Sequence, residues 1–174
     1  SRYARFSTPG HKVTGDRTTT GARKREAPGY DFIHAIIDDH SRLAYAEIHK
    51  DEKAATVTGF MQRALGFYAD HGIAPTRLMT DNAFTYVHNR SLKDLLDQHG
   101  IRHLRTRPYR PQTNGKIERF HQTMATEWAY GMTYGSARAR ARALPYWITH
   151  YNERRPHSAL AGKAPIGRVR SEPL

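Results

Sequence analysis

The sequence predicts one α/β domain built on a mixed sheet, and three observations lead to that fold class. Two apolar runs separated by a turn sequence come first, which is typical of an antiparallel hairpin. Segments with helical and strand periodicity then alternate along residues 51–106, which indicates strands joined through helices. Further helical segments follow, and 174 residues suffice for a single core with extensions.

The first elements along the chain are a hairpin and a long helix. Residues 32–37 are mostly apolar, residues 38–41 have the composition of a turn, and residues 43–48 supply a second strand. Asp51 is expected to cap a helix that stops at Gly72, because Asp favours helix starts and Gly favours helix ends. Apolar residues recur at helical spacing within this helix, so we expect one of its faces in the core.

Shorter elements follow in the middle of the chain. Residues 77–80 predict a strand, and residues 101–106 predict another. Between them lies a second helix, for which Ser91 and Asp94 form a capping pair and Gly100 marks the end. The alternation of strand, helix and strand favours a parallel pair in this part of the sheet.

A loop rich in Pro and Gly, residues 108–115, precedes the last helices. A third helix is expected to start near Lys116 and to bury apolar residues as far as Trp128, and a basic helix then runs through Trp147. The arginines of this basic helix alternate with alanines and cannot share one helical face, so we interpret them as a general attraction for phosphates. They are Arg138, Arg140 and Arg142.

The chain is strongly basic, with 28 Lys and Arg residues against 16 Asp and Glu residues and a formal net charge of +12. Such an excess is typical of proteins whose partner has a phosphate backbone, although enzymes and packaging proteins share it. The sequence contains no cysteine, which excludes disulfides and thiolate metal sites and fits a reducing compartment. No apolar run approaches the length of a membrane span, so a membrane partner is not expected.

Two carboxylates stand apart from the other acids. Asp81 is the only acid in residues 71–93, and Glu118 is the only acid in residues 98–126, where basic residues surround it. A surface that attracts DNA phosphates repels carboxylates through the same field, so acids retained there favour a role in holding a divalent cation. Mg²⁺ and Mn²⁺ prefer oxygen ligands and bind through few carboxylates.

The same two acids also have an ordinary structural interpretation. Asp81 follows a strand and can cap a turn or a helix, and Glu118 can pair with Arg119 or with another basic neighbour. Taken one at a time, the acids favour this structural interpretation. The motifs around them change the balance.

Four motifs in a fixed order carry a resemblance to a known family. Thr80-Asp81-Asn82 is followed, after 36 intervening residues, by Glu118 within the motif at residues 107–121. A motif at residues 38–45 precedes this pair, and a motif at residues 151–160 follows it. Together they resemble the DDE transposases, and more specifically the bacterial insertion-sequence transposases that share the retroviral integrase core.

The resemblance implies an RNase H-like fold, in which helices flank a mixed sheet. It implies a DNA transposase or integrase that uses two Mg²⁺ or Mn²⁺ ions to nick transposon ends and joins the freed 3′-hydroxyl to target DNA. Asp81 and Glu118 then correspond to the second Asp and the Glu of the DDE motif, as catalytic residues and metal ligands. The expected partner is double-stranded DNA, bound by a homo-oligomer in the bacterial cytoplasm and, when on DNA, at the nucleoid.

Residues around the carboxylates acquire expected roles from the same motifs. Asn82, His121 and Gln122 are expected to support the carboxylates, although a solvent-facing His121 is the favoured alternative. Lys116 and Arg119 lie one turn apart near a helix start, where free backbone N–H groups favour phosphate. The full set of expected DNA contacts is Arg107, Tyr109, Arg110, Asn114, Lys116 and Arg119.

The two flanking motifs are expected to be structural. Asp38 and Asp39 close the hairpin turn, which the resemblance places at the end of the sheet away from the catalytic carboxylates. The downstream motif is expected to lock the last helix against the core rather than perform chemistry. Its residues with that role are Tyr151, Asn152, Pro156 and His157.

The resemblance divides the chain into three parts. Residues 30–160 correspond to the integrase-like catalytic core, and residues 161–174 to a basic C-terminal tail. Residues 1–29 carry seven Lys and Arg residues and two acids, which predicts a basic loop or arm, either a solvated segment or one that contacts phosphates.

The DDE motif also requires an earlier Asp, on a central strand between the first hairpin strand and the strand that ends at Asp81. The only Asp before Tyr30 is Asp16, which lacks strand-like neighbours. We therefore expect that strand to end just before Arg2, so that the central strand is missing or incomplete. The chain alone is then expected to be inactive, and poorly stable unless residues 1–8 fill part of the gap.

Two other functions remain to be weighed against the enzyme. A non-catalytic DNA-binding fragment of a truncated transposase shares every motif and differs only in lacking a third carboxylate. An RNA-binding or ribosome-binding protein is disfavoured, because no stacking-aromatic motif of an RNA-binding module is present.

Overall fold

The computed structural model describes residues 1–6, 14–15, 29–106 and 115–170. These residues form a mixed α/β structure, which confirms the predicted fold class. The strands are β1 (Arg2–Ala4), β2 (Tyr30–Ile37), β3 (Ala44–His49), β4 (Arg77–Thr80) and β5 (Arg102–Arg105). The α-helices are α1 (Ala54–Asp70), α2 (Phe84–Val87), α3 (Arg90–Gln98), α4 (Gly115–Met124), α5 (Ala137–Glu153) and α6 (Pro165–Val169).

The predicted hairpin is confirmed as β2 and β3. They pair antiparallel, with Ile37 opposite Ala44, and β2 lies between β1 and β3 in a three-stranded sheet. Asp38 closes the turn as expected, because its Oδ2 accepts hydrogen bonds from the backbone N–H and the hydroxyl of Ser41 at 2.6 and 2.7 Å. A short polar side chain that bonds its own turn in this way stabilises the reversal of the chain.

Strand β1 lies where the sequence predicted a loop or arm. Arg2 pairs with Phe32, and the backbone groups of Ser1 and Ile33 bond each other in both directions, at 3.1 and 2.7 Å. The expectation that the strand ends before Arg2 was therefore wrong. The physical reason is the aromatic ring of Tyr3, which is buried and meets Trp128 edge-on at 5.6 Å, so burial of this ring favours an extended segment on the sheet.

The second pair of strands, β4 and β5, runs parallel, as predicted from the helix between them. Within the described part of the chain, this pair and the three-stranded sheet are separate hydrogen-bonded units. Apolar residues of α1, β4 and α3 form one core cluster over this pair. The buried face of α1 is the one predicted, and it consists of Val57, Phe60, Met61, Ala64, Leu65 and Tyr68.

Two helix starts differ from the sequence expectation. Helix α1 begins at Ala54, although the Asp51 carboxylate still accepts a bond from the Lys53 N–H at 3.0 Å. Helix α3 is capped by Asn89, whose Oδ1 accepts from the Leu92 N–H at 3.0 Å, so the predicted pair of Ser91 and Asp94 was wrong. Asn and Ser are comparably good caps, and burial of Asn89 against α1 selects it over the exposed Ser91.

One face of the three-stranded sheet packs against the C-terminal helices. A five-residue π-helical turn, Ala125–Ala129, continues α4 and places Trp128 fully inside the core. The predicted burial of the α4 face as far as Trp128 is therefore confirmed. Gly131 follows this turn, where a Cβ atom would lie 2.1 Å from the carbonyl oxygen of Thr126, so a side chain at this position would displace the backbone.

Helix α5 is fixed to the sheet by a buried amide. Asn152 accepts a hydrogen bond from the Ala44 N–H at 2.9 Å and donates one to the Ala44 carbonyl at 2.8 Å. Tyr151 is buried beside it, with its ring edge-on to His157 at 4.8 Å. These contacts agree with the expected role of the downstream motif in locking the last helix against the core.

Residues after 160, expected to form a tail, include a folded helix as far as Val169. Pro165 starts α6 and is buried, and the Arg168 Nε–H donates to His40 Nε2 in the hairpin turn at 2.9 Å. Among the described residues, none of the helices combines the length and the apolar composition that crossing a bilayer requires.

Candidate active site and DNA interface

Asp81 directly follows β4 and is exposed at the point where the chain leaves the sheet. Its Oδ1 accepts a hydrogen bond from the Ala83 N–H at 3.0 Å, which fixes the turn before α2. One carboxylate oxygen of Asp81 therefore caps a turn, as the structural interpretation of this residue predicted. Within the described chain, the other oxygen has no hydrogen bond that competes for it.

The loop that carries Asp81 is held on both sides by polar contacts to β5. Asn82 donates from its side-chain amide to the Thr106 carbonyl at 2.9 Å, so it supports the loop as expected. The Thr80 hydroxyl lies 2.8 Å from His103 Nε2, and the Thr106 N–H donates to the Thr80 carbonyl at 3.0 Å. These bonds restrict the backbone on which the Asp81 carboxylate stands.

Glu118 lies on the first turn of α4 and is exposed. In the described regions it forms no ion pair, although Arg119 is its immediate neighbour. The alternative in which a basic neighbour neutralises Glu118 is thus not observed among these residues. An exposed carboxylate on a chain of charge +12, with no described ion pair to neutralise it, is available to a metal ion.

The start of β1 lies beside α4, the helix that carries Glu118. Tyr3 belongs to the same core cluster as Phe120 and Met124 of α4, and its ring meets that of Trp128 edge-on at 5.6 Å. Burial lowers the pKa of the Ser1 amino group, while the negative charges of Glu52 and then Asp81 act in the opposite direction.

His121 is not solvent-facing, which corrects the favoured expectation. The ring is half-buried beside Phe120, with 5.8 Å between ring centroids, and its Nδ1 is buried without a hydrogen-bond partner in the described part of the chain. Burial, with a smaller contribution from the Ser1 amino group, lowers the pKa of His121 to about 4. Gln122, next to it, is exposed.

His121 should therefore remain neutral over the physiological range. Above its ordinary pKa of 6.5 it is neutral in both states and contributes nothing to the pH dependence of stability. As the pH falls from 6.5 to about 4, the unfolded chain takes up the proton and the folded chain does not, so the free energy of unfolding decreases, by roughly 3 kcal/mol in total. Urea denaturation across this range should give a shallower pH slope for His121→Gln than for the wild type. Equal slopes for the two proteins would contradict the burial of the ring.

Lys116 contacts the hairpin turn. Its ammonium group pairs with the Asp39 carboxylate and also donates to the Asp39 carbonyl at 3.1 Å. The hairpin turn therefore contacts the first turn of α4 through the Lys116 side chain. Its expected distance from the catalytic carboxylates stays a prediction. Both side chains remain largely exposed, so a phosphate can compete with Asp39 for Lys116.

Several expected site residues lie outside the described residues. They are Arg107, Tyr109, Arg110 and Asn114, together with Asp16. Arg119 lies within the described part and is exposed on α4. Its role as a DNA contact stays a prediction.

Two features near the site were missed from the sequence. Glu52 was not singled out, although its negative charge acts with that of Asp81 on Tyr86, whose pKa is raised to about 12 chiefly by burial. Arg140, assigned to a row of phosphate-attracting arginines, is only 3% exposed and pairs with Asp31. An Asp at the start of an apolar strand was the available signal for a buried cationic partner. Over the part of the chain that the structure describes, no cluster of three or more His, Asp or Glu side chains is arranged to hold a metal ion.

Comparison with known proteins identifies similar sequences and folds. The integrase core domain family matches residues 7–111, and a second integrase core domain profile matches residues 99–165. A 39.2 kDa protein of insertion element IS476 from Xanthomonas euvesicatoria is 26% identical over 139 residues, which are 70% of this chain and 40% of that protein. The chain spans less than half the length of the curated relatives it matches.

Solved structures show the same fold. An intasome of simian T-cell lymphotropic virus contains a chain that matches with a TM-score of 0.69 at 20% identity, over 83% of this chain and 50% of that one. The integrase catalytic core domain of HTLV-2, in complex with magnesium, matches with a TM-score of 0.55 at 15% identity, over 80% and 85% of the two chains. These similarities confirm the predicted RNase H-like fold.

Proposed function

This chain belongs to the integrase core domain family, and from that premise we propose that it is the catalytic core of an enzyme that nicks DNA and joins the freed 3′ end to other DNA. The reaction depends on Mg²⁺ or Mn²⁺. The protein works as a homo-oligomer on double-stranded DNA, in line with the intasome and the trimeric form in which similar chains are found.

The observation that carries this proposal is the pair of exposed carboxylates on a strongly basic chain. Asp81 follows β4, and Glu118 lies on the first turn of α4. DNA phosphates approaching a surface of net charge +12 meet two negative groups that no described Lys or Arg neutralises. A divalent cation between carboxylate and phosphate removes that repulsion.

The donor set fits a hard divalent cation. Asp81 and Glu118 offer oxygen ligands only, and one oxygen of Asp81 is already fixed by the Ala83 N–H, which orients the other. The similar HTLV-2 catalytic core is in complex with magnesium. When bound, such ions supply activation of the attacking oxygen and stabilisation of the leaving oxygen of a phosphodiester.

The protein's own residues bind and orient the DNA at this point. Arg119 on α4 binds a backbone phosphate. Lys116 gives up its contact with Asp39 and binds a second phosphate. His121, neutral at the working pH, offers a hydrogen-bonding nitrogen one turn after Glu118 and does not compete as a cation for the carboxylate. Each of these groups positions the strand to be cut without taking part in bond breaking.

The DDE motif requires a third carboxylate, and β1 (Arg2–Ala4) contains no acid. On this proposal residues 1–174 alone bind DNA without cutting it.

Metal dependence of nicking tests the proposed function. The full-length protein that contains this chain is incubated with supercoiled plasmid in Mg²⁺, in Mn²⁺ or in excess chelator. We expect nicked plasmid with either metal and none with chelator, because the carboxylates cannot activate water unaided. Plasmid that is bound but never nicked in either metal would identify a non-catalytic DNA-binding protein instead.

Salt dependence tests the DNA contacts separately. Each phosphate contact contributes roughly 0.9 to the slope of log affinity against log salt on duplex DNA, so Lys116→Ala and Arg119→Ala should each weaken binding and reduce that slope by about this amount. Asp81→Asn should leave the affinity equal or higher, since it removes a repulsive charge. Fluorescence anisotropy over a salt series measures these values. Lys93→Ala is the matched control, because Lys93 is exposed and already paired with Asp97 on α3. A slope unchanged by both substitutions would exclude these two contacts.

A further inference from the structure

A buried ion cluster joins α5 to strand β1. One guanidinium nitrogen of Arg140 lies 3.2 Å from Asp31 Oδ2 and donates to the Ala4 carbonyl at 2.9 Å. The other oxygen of Asp31 accepts from Arg5 Nε at 2.6 Å. Arg140 and Asp31 are both buried, so water has little access to the pair that they form.

Aromatic rings enclose the Arg140 guanidinium. Its central carbon lies 5.8 Å from the ring centroid of Tyr3, 5.4 Å from that of Phe6 and 6.0 Å from that of Trp128. The indole N–H of Trp128 also donates to the Arg140 carbonyl at 3.0 Å. Strand β1 and the residues just after it therefore contact the guanidinium at three points: the rings of Tyr3 and Phe6 and the backbone carbonyl of Ala4.

These contacts select one register for β1. Side chains alternate between the two faces of a strand, so a slip of one residue would turn Tyr3 out of the core. The same slip would withdraw the Ala4 carbonyl from Arg140, leaving a buried cation with fewer acceptors. Such a loss is severe in a site that excludes water.

Strand β1 packs against α4, the helix that carries Glu118. Tyr3 shares a core cluster with Phe120 and Met124 of that helix. A strand advances roughly 3.3 Å per residue, so a slip of one residue in β1 moves Tyr3 by that distance relative to α4. Misplacement by even about 1 Å can slow an enzymatic reaction by about 100-fold.

We propose that Arg140 is a positioning residue for DNA cutting and joining: together with Asp31, it sets the register of β1 on β2 and so the placement of β1 against α4, the helix of Glu118. This inference rests on the proposed function, because its consequence is a slower chemical step. Arg140 is too deeply buried to reach phosphates, so it differs in role from Arg138 and Arg142, which are exposed on the same helix.

The test compares Arg140→Gln with Arg142→Gln in the full-length protein. Hydrogen exchange reports on the register through the Ile33 and Arg5 amides, which donate to Ser1 and Gly29 across the β1–β2 ladder. Single-turnover nicking at saturating DNA reports on the chemical step, and anisotropy reports on DNA affinity. For Arg140→Gln we expect exchange of these two amides to accelerate at least about tenfold. We expect its nicking rate to fall about 100-fold, with DNA affinity within about twofold of wild type.

The control should show the opposite pattern. Arg142→Gln should weaken DNA binding and leave the exchange of the two amides unchanged. Arg140→Lys, which keeps the charge but not the fork of donors, should fall between Arg140→Gln and wild type in both exchange and rate. If Arg140→Gln does not fold, Arg140→Lys carries the same comparison with a smaller effect.

Three outcomes would overturn the inference. Exchange that accelerates equally in α3 and in β1 would show a general loss of stability. An unchanged nicking rate despite faster exchange in β1 would show that the register does not matter for chemistry. A loss of DNA affinity at an unchanged rate would return Arg140 to the phosphate-binding set. If the wild type does not nick DNA in either metal, the proposed function fails and the catalytic part of this inference fails with it, whereas unchanged exchange in an active enzyme sinks the inference alone.

Discussion

Asp81→Asn and Glu118→Gln are each expected to reduce metal-dependent nicking by about 1000-fold or more, because loss of a metal ligand removes several kcal/mol of transition-state stabilisation. The Asn at position 81 retains the oxygen that accepts the Ala83 N–H, so the start of α2 is preserved. Glu118 is exposed, and its replacement disturbs no described contact. Nicking rates are measured at saturating Mg²⁺, and the denaturation midpoint is recorded for each variant.

Glu153→Gln is the matched control for this experiment. Glu153 is also an exposed acid on a helix, at the end of α5, and its replacement removes the same charge from the chain. We expect its nicking rate within about twofold of wild type, in the range of ordinary surface substitutions. If Asp81→Asn or Glu118→Gln retained wild-type nicking, the assignment of that carboxylate as a metal ligand would be wrong.

Asn152→Ala is expected to destabilise the fold by roughly 3 kcal/mol. The substitution leaves the N–H and the carbonyl of Ala44 buried without partners, and each unsatisfied buried group costs about 1–3 kcal/mol. For a domain of this size, the midpoint of thermal unfolding should fall by roughly 6–12 °C. Calorimetry or urea denaturation measures the change.

Two further variants make the interpretation specific. Asn152→Asp keeps the shape and one acceptor but loses the donor to the Ala44 carbonyl, so it should destabilise the fold by a similar amount. Glu153→Ala changes the neighbouring exposed residue and should stay within about 0.5 kcal/mol of wild type. A loss below about 1 kcal/mol for Asn152→Ala would show that water or a shift of the backbone replaces the amide.

Local sequence signals predicted the elements that depend on local physics. Apolar periodicity predicted the buried face of α1, from Val57 to Tyr68, because apolar residues repeated at helical spacing over such a length fit a helix and not a strand. The hairpin turn followed from Asp38, whose carboxylate bonds within its own turn. The cap of α3 was placed two residues late, since Asn89 and Ser91 are both good caps and only packing against α1 decides between them.

Long-range contacts account for what the sequence did not reveal. Strand β1 has three residues and no clear alternation, and it forms because Tyr3 meets Trp128, 125 positions later in the chain. Arg140 looked like one of three equivalent arginines until Asp31 provided its buried partner. Of the candidate site, Asp81 and Glu118 were identified from their isolation among basic residues. The half-buried environment of His121 arises from tertiary packing and could not be read from the sequence of α4 alone.

The amide of Asn152 has a consequence for the outer margin of the sheet. Among the described strands, β3 is the outermost of its sheet, so the backbone groups that point away from β2 are open to pairing with a strand of another molecule. At Ala44 the Asn152 side chain already supplies the donor and the acceptor that a neighbouring strand would supply. Growth of the sheet by a foreign strand is therefore blocked at this residue, and Asn152 acts as a one-residue substitute for the missing neighbour. Its removal opens a longer template for intermolecular pairing, so variants at this position should aggregate through β3 as they lose stability.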